Sequence, residues 1–275
     1  MATRLGLPDL ADDYTLDQDT IDAFRRDGHV VVRGLASTAE VEAYRSVIED
    51  AALRHNVESR PLEERETYGK AFLQIPNLWT KDEGVRRFVF GRRFARVAAQ
   101  LMGVDGVRLY HDQALFKEAG GGLTPFHQDQ YYWPLDTDHT ITMWMPMVDV
   151  PAELGSMTFA SGSHKLGYLG EFEISDESEA VFRAFVEEQG IPLATHGALA
   201  AGDATFHAGW TLHGAPPNET DRMRSVMTVI YYADGARAIQ PDHAYRQADL
   251  ARWLGGIAPG EVADRELNPL LFSER

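Results

Sequence analysis

The hydrophobic positions follow one period over about the first 100 residues and another period beyond them. In the first part, apolar residues recur three and four positions apart, as they do on one face of a helix. Ser37 and Glu40 form a capping-box pattern, which predicts a helix that runs to about His55. Residues 82–102 show the same spacing and predict a second helical region.

Shorter elements precede and separate these two regions. Residues 15–28 predict a short helix, and residues 29–35 are rich in Val and predict a strand. Residues 58–70 are polar and charged, which is typical of a mobile loop. The first 102 residues are therefore predicted to be mainly helical.

Beyond residue 107 the chain breaks into short runs rich in β-branched and aromatic residues, separated by Gly, Pro and Asp. Helices followed by short strands predict a mostly β protein, an antiparallel barrel or sandwich with flanking helices. We expect a single domain over 1–275, with helices over about 15–102, a β core over about 107–235 and a C-terminal tail over 236–275. The predicted strands lie within 107–118, 140–150, 156–161, 197–209 and 225–233.

Residues 165–195 interrupt this series of strands. They contain a helical stretch for which Ser175 or Asp176 would be the cap. An insertion between strands of a barrel is often a lid over its mouth. The apolar residues that such a lid would turn toward the mouth are Leu166, Tyr168, Leu169 and Phe172.

Composition excludes several functions. The chain has no Cys, so any metal must be bound by imidazole, carboxylate and water. The net charge of −16 disfavours nucleic-acid binding. No apolar run is long enough to span a membrane, and the first residues lack a signal-peptide pattern, so a cytoplasmic location is predicted. A small molecule is the expected partner, and the sequence leaves the oligomeric state open.

The segment TPFHQDQYYW, residues 124–133, contains His127 and Asp129 two positions apart. With 10 His and 22 Asp in 275 residues, chance alone would give about one such pair. On an extended segment the two side chains would point to the same side. Two His and one carboxylate on one face of a metal suit non-heme Fe(II), so a second His is needed.

His213 is the best candidate, because it ends one predicted strand just before a turn and would lie at the barrel mouth. His207 is six residues earlier and by parity would share a face with His213, about 20 Å away if the strand is straight, so parity alone does not exclude it as a ligand. His29 and His55 are expected in the helical N-terminal part, far from the strands, and structural roles are assigned to His164 and His207.

Arg222 and Arg224 begin the next strand, on the face that is otherwise apolar. A buried Arg requires an anion. A small dicarboxylate could supply it, with its other end on the metal. This is the arrangement that 2-oxoglutarate would need.

These segments together resemble the phytanoyl-CoA dioxygenase family of Fe(II)/2-oxoglutarate oxygenases, over roughly residues 15–235. The resemblance lies in LFKEAGGGLTPFHQD, TMWMPMVDVPAELGSMTFASGSH and GDATFHAGWTLHGAPPNETDRMR, in that order. It implies a double-stranded β-helix, the cupin-like jelly roll. It also implies Fe(II) bound by His127, Asp129 and His213, with 2-oxoglutarate and O2 as cosubstrates.

The resemblance further implies that Arg224, eleven residues after His213, binds the cosubstrate beside Trp144 and Gln113. The chain departs from the family at Glu153-Leu154-Gly155 and at Ala215, which are not ligand positions. Since related halogenases lose the carboxylate and this chain keeps Asp129, we do not expect halogenation. Four residues are candidates for substrate contact, and Lys117 is assigned to solvent or to a loop. The four are His111, Tyr131, Tyr132 and Trp133.

We therefore expect an oxygenase that acts on an unactivated C–H of a small molecule, as a tailoring enzyme of secondary metabolism or antibiotic biosynthesis. Hydroxylation is the default outcome, and epimerisation, desaturation or cyclisation would start from the same substrate radical. One alternative is a catalytically silent ligand-binding protein on this fold, and another is a cupin-like isomerase or dioxygenase. An intact His-Asp-His set with Arg224 argues against both.

Overall fold

The structure is a computed structural model that describes residues 6–274, with the side chain of Ala152 left out. Helices are concentrated in the first 102 residues, as expected. None of the helices in the described part has the length and apolarity needed to cross a membrane. The α-helices are α1 Gln18–Asp27, α2 Thr38–His55, α3 Thr67–Ala71, α4 Glu83–Val89, α5 Arg92–Met102, α6 Asp176–Glu188 and α7 Ala244–Trp253.

The helical predictions hold, with two differences in detail. α2 begins at the predicted capping box, in which Ser37 and Glu40 bond to each other's backbone N–H. The region 82–102 forms two helices, because the chain turns tightly at Gly91, where a Cβ would lie 3.0 Å from the Phe88 carbonyl. The predicted loop 58–70 contains the start of α3.

Two antiparallel sheets make up the rest of the described chain. The larger sheet has the order β1-β8-β5-β10-β3-β11, with β2 also paired to β3, and the smaller sheet has the order β4-β9-β6-β7. The strands are β1 His29–Val32, β2 Leu73–Pro76, β3 Gly106–Lys117, β4 Thr124–His127, β5 Thr140–Pro146, β6 Thr158–Ala160, β7 Leu193–Thr195, β8 Ala204–Ala208, β9 His213–Ala215, β10 Arg224–Ala233 and β11 Leu270–Ser273.

Both chain ends contribute to the larger sheet, beyond the range 107–235 predicted for the β core. β1 pairs with β8, and β2 and β11 pair with β3. The prediction that His29 lies far from the strands is therefore wrong, since His29 is the residue directly opposite His207. The main hydrophobic core lies between the larger sheet and α1, α2, α4 and α5.

The insertion 165–195 carries the predicted helix, α6, with Ser175 as its cap. α6 packs on β4: Glu179 accepts a 2.8 Å hydrogen bond from the Phe126 backbone N–H, and Phe182 shares a cluster with Phe126. Of the four residues expected to face the mouth, Leu166 and Tyr168 are about half exposed, whereas Leu169 and Phe172 pack against this cluster. The helix thus covers the strand that ends at His127.

Candidate metal centre and anion pocket

The two candidate metal-binding histidines lie opposite each other on paired strands of the smaller sheet. His127 ends β4, His213 begins β9, and the two are register partners with ring centroids 4.2 Å apart. β4 stops at His127, so Asp129 lies in a short 3-10 turn, Asp129–Tyr131, and not on an extended segment. The turn still brings the Asp129 Oδ1 atom within 3.5 Å of His127 Nε2 and 3.9 Å of His213 Nε2.

Hydrogen bonds fix both imidazole rings with Nε2 toward the carboxylate. His127 Nδ1 is 2.7 Å from the Pro125 carbonyl oxygen, and His213 Nδ1 is 2.9 Å from that of Thr211. Carbonyl oxygens only accept, so each Nδ1 carries the proton and each Nε2 presents a lone pair. Burial, together with the neighbouring histidines, holds the pKa of His213 well below its ordinary value, which keeps the ring neutral.

These three side chains meet the requirements of a divalent metal. One ligand atom from each of His127, Asp129 and His213 falls within 4.8 Å of the others. Burial alone would raise the pKa of Asp129, but the surrounding histidines outweigh burial and hold it well below the usual range. Neutral imidazoles and an ionised carboxylate are the protonation states that metal binding requires.

Arg224 lies in the same cavity as a buried cation. It is 2% exposed, its guanidinium lies over the Trp144 ring at 5.1 Å, and it donates to the Gly155 carbonyl. Its Nε is buried without a partner, and no carboxylate of residues 6–274 forms a salt bridge with it. Burial lowers its pKa to about 9, whereas Arg222 is exposed. An anion is the missing partner of Arg224.

Lys117, directly opposite Arg224 on β3, is a second buried basic residue. Its side chain is inaccessible to solvent, and its Nζ donates to the carbonyls of Gly122 and Pro216. The loop-bonding assignment is thus confirmed and the solvated one is wrong. Burial, and then the charge of Arg224, lower the pKa of Lys117 to about 6. A lysine with this pKa is largely neutral at neutral pH, so Arg224 carries the positive charge that favours a negative group at this end of the cavity.

A cavity of about 500 Å³ joins the candidate metal ligands to Arg224. Tyr131 is the one predicted site residue outside it, since its ring stacks on His243, 4.4 Å away, and not on the cavity wall. The predicted residues that line the cavity are His111, Gln113, His127, Asp129, Tyr132, Trp133, Trp144, His213 and Arg224.

Sequence reasoning missed the cavity wall that α7 provides. The wall includes Tyr245, Asp249, Arg252 and Trp253, which recur at helical spacing within the segment treated as a tail. That spacing was the available signal. A β-bulge on β3 at Tyr110 allows its hydroxyl to donate to Asp249 over 2.9 Å.

Tyr68 is a second cavity-lining residue that sequence reasoning missed. It lies in α3, within the predicted loop, and lines the cavity together with Phe72 and Gln74. Burial raises the pKa of Tyr68 well above its ordinary value, so the phenol stays protonated. No periodic pattern in residues 58–70 indicated a residue of this kind.

The expected 20 Å separation of His207 from His213 is wrong. β8 ends at Ala208, and residues 209–212 cross from the larger sheet to the smaller one before β9 begins. The His207 and His213 ring centroids are consequently 4.2 Å apart. The estimate assumed one straight strand, and the chain contains a crossing between two sheets.

Two imidazoles and a carboxylate in one cavity with a buried arginine are typical of non-heme iron enzymes that use a 2-oxo acid cosubstrate. The comparisons with known proteins agree. The phytanoyl-CoA dioxygenase (PhyH) family matches residues 24–226, so this chain belongs to that family. It is a non-heme iron, 2-oxoglutarate-dependent dioxygenase, with Fe(II), 2-oxoglutarate and O2 as its cofactor and cosubstrates.

Three relatives show the range of activities around this chain. A methylphosphonate hydroxylase of Gimesia maris is 24% identical over 230 residues, which are 80% of this chain and 82% of the relative. The crystal structure of SnoN, a non-heme alpha ketoglutarate dependent epimerase from nogalamycin biosynthesis, matches with 27% identity, TM-score 0.75, and 92% and 98% coverage of this chain and of SnoN. SnoK, a carbocyclase from nogalamycin biosynthesis, matches with 25% identity, TM-score 0.77, and 94% and 99% coverage.

Proposed function

We propose that His127, Asp129 and His213 bind the iron and that Arg224 binds the distal carboxylate of 2-oxoglutarate. The observation that carries the proposal is that one cavity contains both a preorganised set of metal-binding atoms and a buried arginine without an anion. Trp144 lies beside this arginine, and Gln113 lines the same cavity opposite Thr228 of β10; both would contact the cosubstrate. With cosubstrate bound, iron supplies oxidation of an unactivated C–H by O2, together with conversion of 2-oxoglutarate to succinate and CO2.

The protein's own residues orient the reactants and exclude water. The His127 and His213 rings are locked by carbonyl oxygens, and Trp144 covers one face of the Arg224 guanidinium. Asp129 keeps a carboxylate at the position that a halide would need, which supports oxygenation over halogenation. Water exclusion at the cosubstrate end follows from the burial of Arg224 and Lys117.

We further propose that the two sheets form one jelly-roll domain. A double-stranded β-helix consists of two four-stranded sheets that face each other. The run β8-β5-β10-β3 of the larger sheet would be one of them, and the smaller sheet β4-β9-β6-β7 would be the other. The cavity between the sheets supports this proposal, because residues of both sheets line it.

For the substrate, we propose a small ring-bearing organic molecule of secondary metabolism. Aromatic side chains from three segments line the cavity, which favours stacking on a flat ring. SnoN and SnoK act in nogalamycin biosynthesis, as an epimerase and a carbocyclase, so hydroxylation, epimerisation and ring closure are all candidate outcomes. The aromatic residues of this wall are Tyr68, Phe72, Tyr132, Trp133, Tyr245 and Trp253.

A small phosphonate is the competing substrate class, because of the methylphosphonate hydroxylase relative. A phosphonate dianion needs cationic partners. Among the cavity-lining residues of the described chain, the Arg or Lys side chains are Arg224 and Arg252, and the guanidinium of Arg252 already lies over Trp253 at 4.2 Å. Glu173 adds negative charge to the same wall, and burial raises the pKa of Asp249 to about 7, so its carboxyl group is partly ionised. This charge distribution favours the ring-bearing substrate.

The test is anaerobic addition of Fe(II) and then 2-oxoglutarate, followed by oxygen and quantification of succinate. We expect a visible charge-transfer absorption from the ternary complex and slow succinate formation without substrate. Aromatic polyketides should accelerate succinate formation and methylphosphonate should not. Absence of both the absorption and succinate would instead support a silent ligand-binding protein.

A further inference from the structure

One oxygen of Asp129 is bound by the protein itself. Thr142 Oγ1 donates to Asp129 Oδ2 over 2.8 Å, and His207 Nε2 lies 3.1 Å from the same oxygen. Thr142 and His207 are direct cross-strand partners on β5 and β8, so the larger sheet fixes the spacing of these two donors. The other oxygen, Oδ1, is the one that faces His127 and His213.

The hydrogen bonds of His207 indicate which of its nitrogens carries the proton. Its Nδ1 is buried and has no partner among the described residues, while Nε2 meets an ionised carboxylate. The tautomer with the proton on Nε2 satisfies the carboxylate and leaves only a lone pair unpaired. The ring is 1% exposed and lies near Phe159, with centroids 5.6 Å apart, so it has little freedom to turn away.

We propose that His207 and Thr142 are positioning residues that reserve one oxygen of Asp129 for the protein and present the other to the metal. The inference rests on the proposed function, since it takes Asp129 as an iron ligand. Two donors on Oδ2 prevent the carboxylate from rotating to bind through both oxygens. A carboxylate that binds through one oxygen leaves more positions around the metal for the cosubstrate.

The larger sheet offers a matched control for this role. His29 is the partner of His207 on the opposite strand, β1, and is equally buried. It bonds instead to Ser161 Oγ at 2.9 Å and His196 at 3.0 Å, with no contact to Asp129. A variant of His29 therefore perturbs a buried histidine of the same sheet without touching the carboxylate.

The test measures Fe(II) affinity by anaerobic titration and the charge-transfer absorption of the complex with 2-oxoglutarate. The variants are Thr142→Val, which keeps the shape and loses the donor, Thr142→Ser, which keeps the donor, and His207→Gln and His207→Phe. Loss of a partner that orients a ligand costs about 10- to 100-fold in metal affinity. We expect that loss for Thr142→Val and His207→Phe, with a shifted absorption, partial recovery for Thr142→Ser and His207→Gln, and no change for His29→Gln.

Each outcome separates this inference from the proposed function. Parent-like affinity and absorption in Thr142→Val would overturn the positioning role, and this isosteric variant decides the matter if His207→Phe does not fold. Equal losses in His29→Gln and His207→Phe would also overturn it, because the effect would then be one of sheet packing. If Asp129→Ala binds Fe(II) as the parent does, the ligand assignment itself fails.

Discussion

Replacing Arg224 with Met should stabilise the protein without cosubstrate and remove the stabilisation that 2-oxoglutarate provides. Met fills most of the volume of the arginine stem and carries no charge. In the absence of an anion, the guanidinium has one hydrogen bond, to Gly155, and an unpartnered Nε. Its burial is therefore unfavourable until a carboxylate arrives.

The magnitudes follow from the burial of this one group. Burial lowers the pKa of Arg224 to about 9, and a fall of that size corresponds to roughly 5 kcal/mol as an upper limit. Because Met also loses the bond to Gly155, we expect a net gain of about 1–3 kcal/mol in the unfolding free energy. In the complex, losing a buried charge pair costs about 2–5 kcal/mol, or roughly 30-fold to several-thousand-fold in affinity.

The assay is thermal or urea unfolding with Mn(II) in place of iron, with and without 2-oxoglutarate. At a cosubstrate concentration 100 times Kd, the parent should gain about 2.7 kcal/mol. Arg224→Met should gain almost nothing at that concentration. Arg222→Met is the control, because its side chain is exposed and lies outside the cavity.

Two results would refute this reasoning. If Arg222→Met weakens 2-oxoglutarate binding as much as Arg224→Met does, the cosubstrate does not lie in the cavity as proposed. If Arg224→Met is strongly destabilised without cosubstrate and 2-oxoglutarate still protects it, the guanidinium is a structural group whose partner is already present.

Three further predictions concern the metal, pH and the lid. His127→Ala should lose Fe(II) binding in anaerobic titration while its circular dichroism is retained, and the exposed His139→Ala should bind as the parent does; equal binding by both would contradict the ligand assignment. Burial and the neighbouring His196 lower the pKa of His29 from about 6.5 to about 4. As pH falls through this range the unfolded chain is protonated at His29 before the folded chain, so folding becomes less favourable. In urea unfolding the parent should therefore lose up to about 1.4 kcal/mol of unfolding free energy per pH unit relative to His29→Gln. Residues 170–174 belong to the proposed lid, and the last two line the cavity. Replacing them should leave succinate formation without substrate largely intact and abolish coupled product formation. If the variant loses iron, the segment supports the metal site and is not a lid.

Periodicity along the chain was sufficient for the elements that are regular over several residues. The capping box of α2 and the β-branched and aromatic runs of β5 and β10 have local causes, and the structure contains them where they were expected. The His127 and Asp129 side chains also lie close together as expected, although Asp129 lies in a tight turn and not on the extended segment that the prediction assumed. Cross-sheet neighbours have no such local cause.

His207 shows this limit most clearly. Its distance from His213 depends on residues 209–212 crossing between sheets, a feature that has no period. The crossing requires a glycine at position 209, because a Cβ there would lie 2.2 Å from the Thr140 hydroxyl oxygen. A glycine at such a point signals close approach only once the neighbouring strand is known.

The family match includes the candidate iron site but only part of the proposed substrate wall, which is one reason why the chemistry could be predicted and the substrate could not. The match spans residues 24–226 and includes the candidate iron ligands and Arg224. α7, which contributes Tyr245, Asp249 and Trp253 to the cavity, lies wholly beyond it. The candidate iron ligands lie on or directly beside paired strands, whereas the proposed substrate wall also draws on α3, the insertion and α7. Substrate choice in this enzyme is therefore best sought by exchanging the cavity-facing residues of α7, with succinate formation in the absence of substrate as the measure that the iron site is intact.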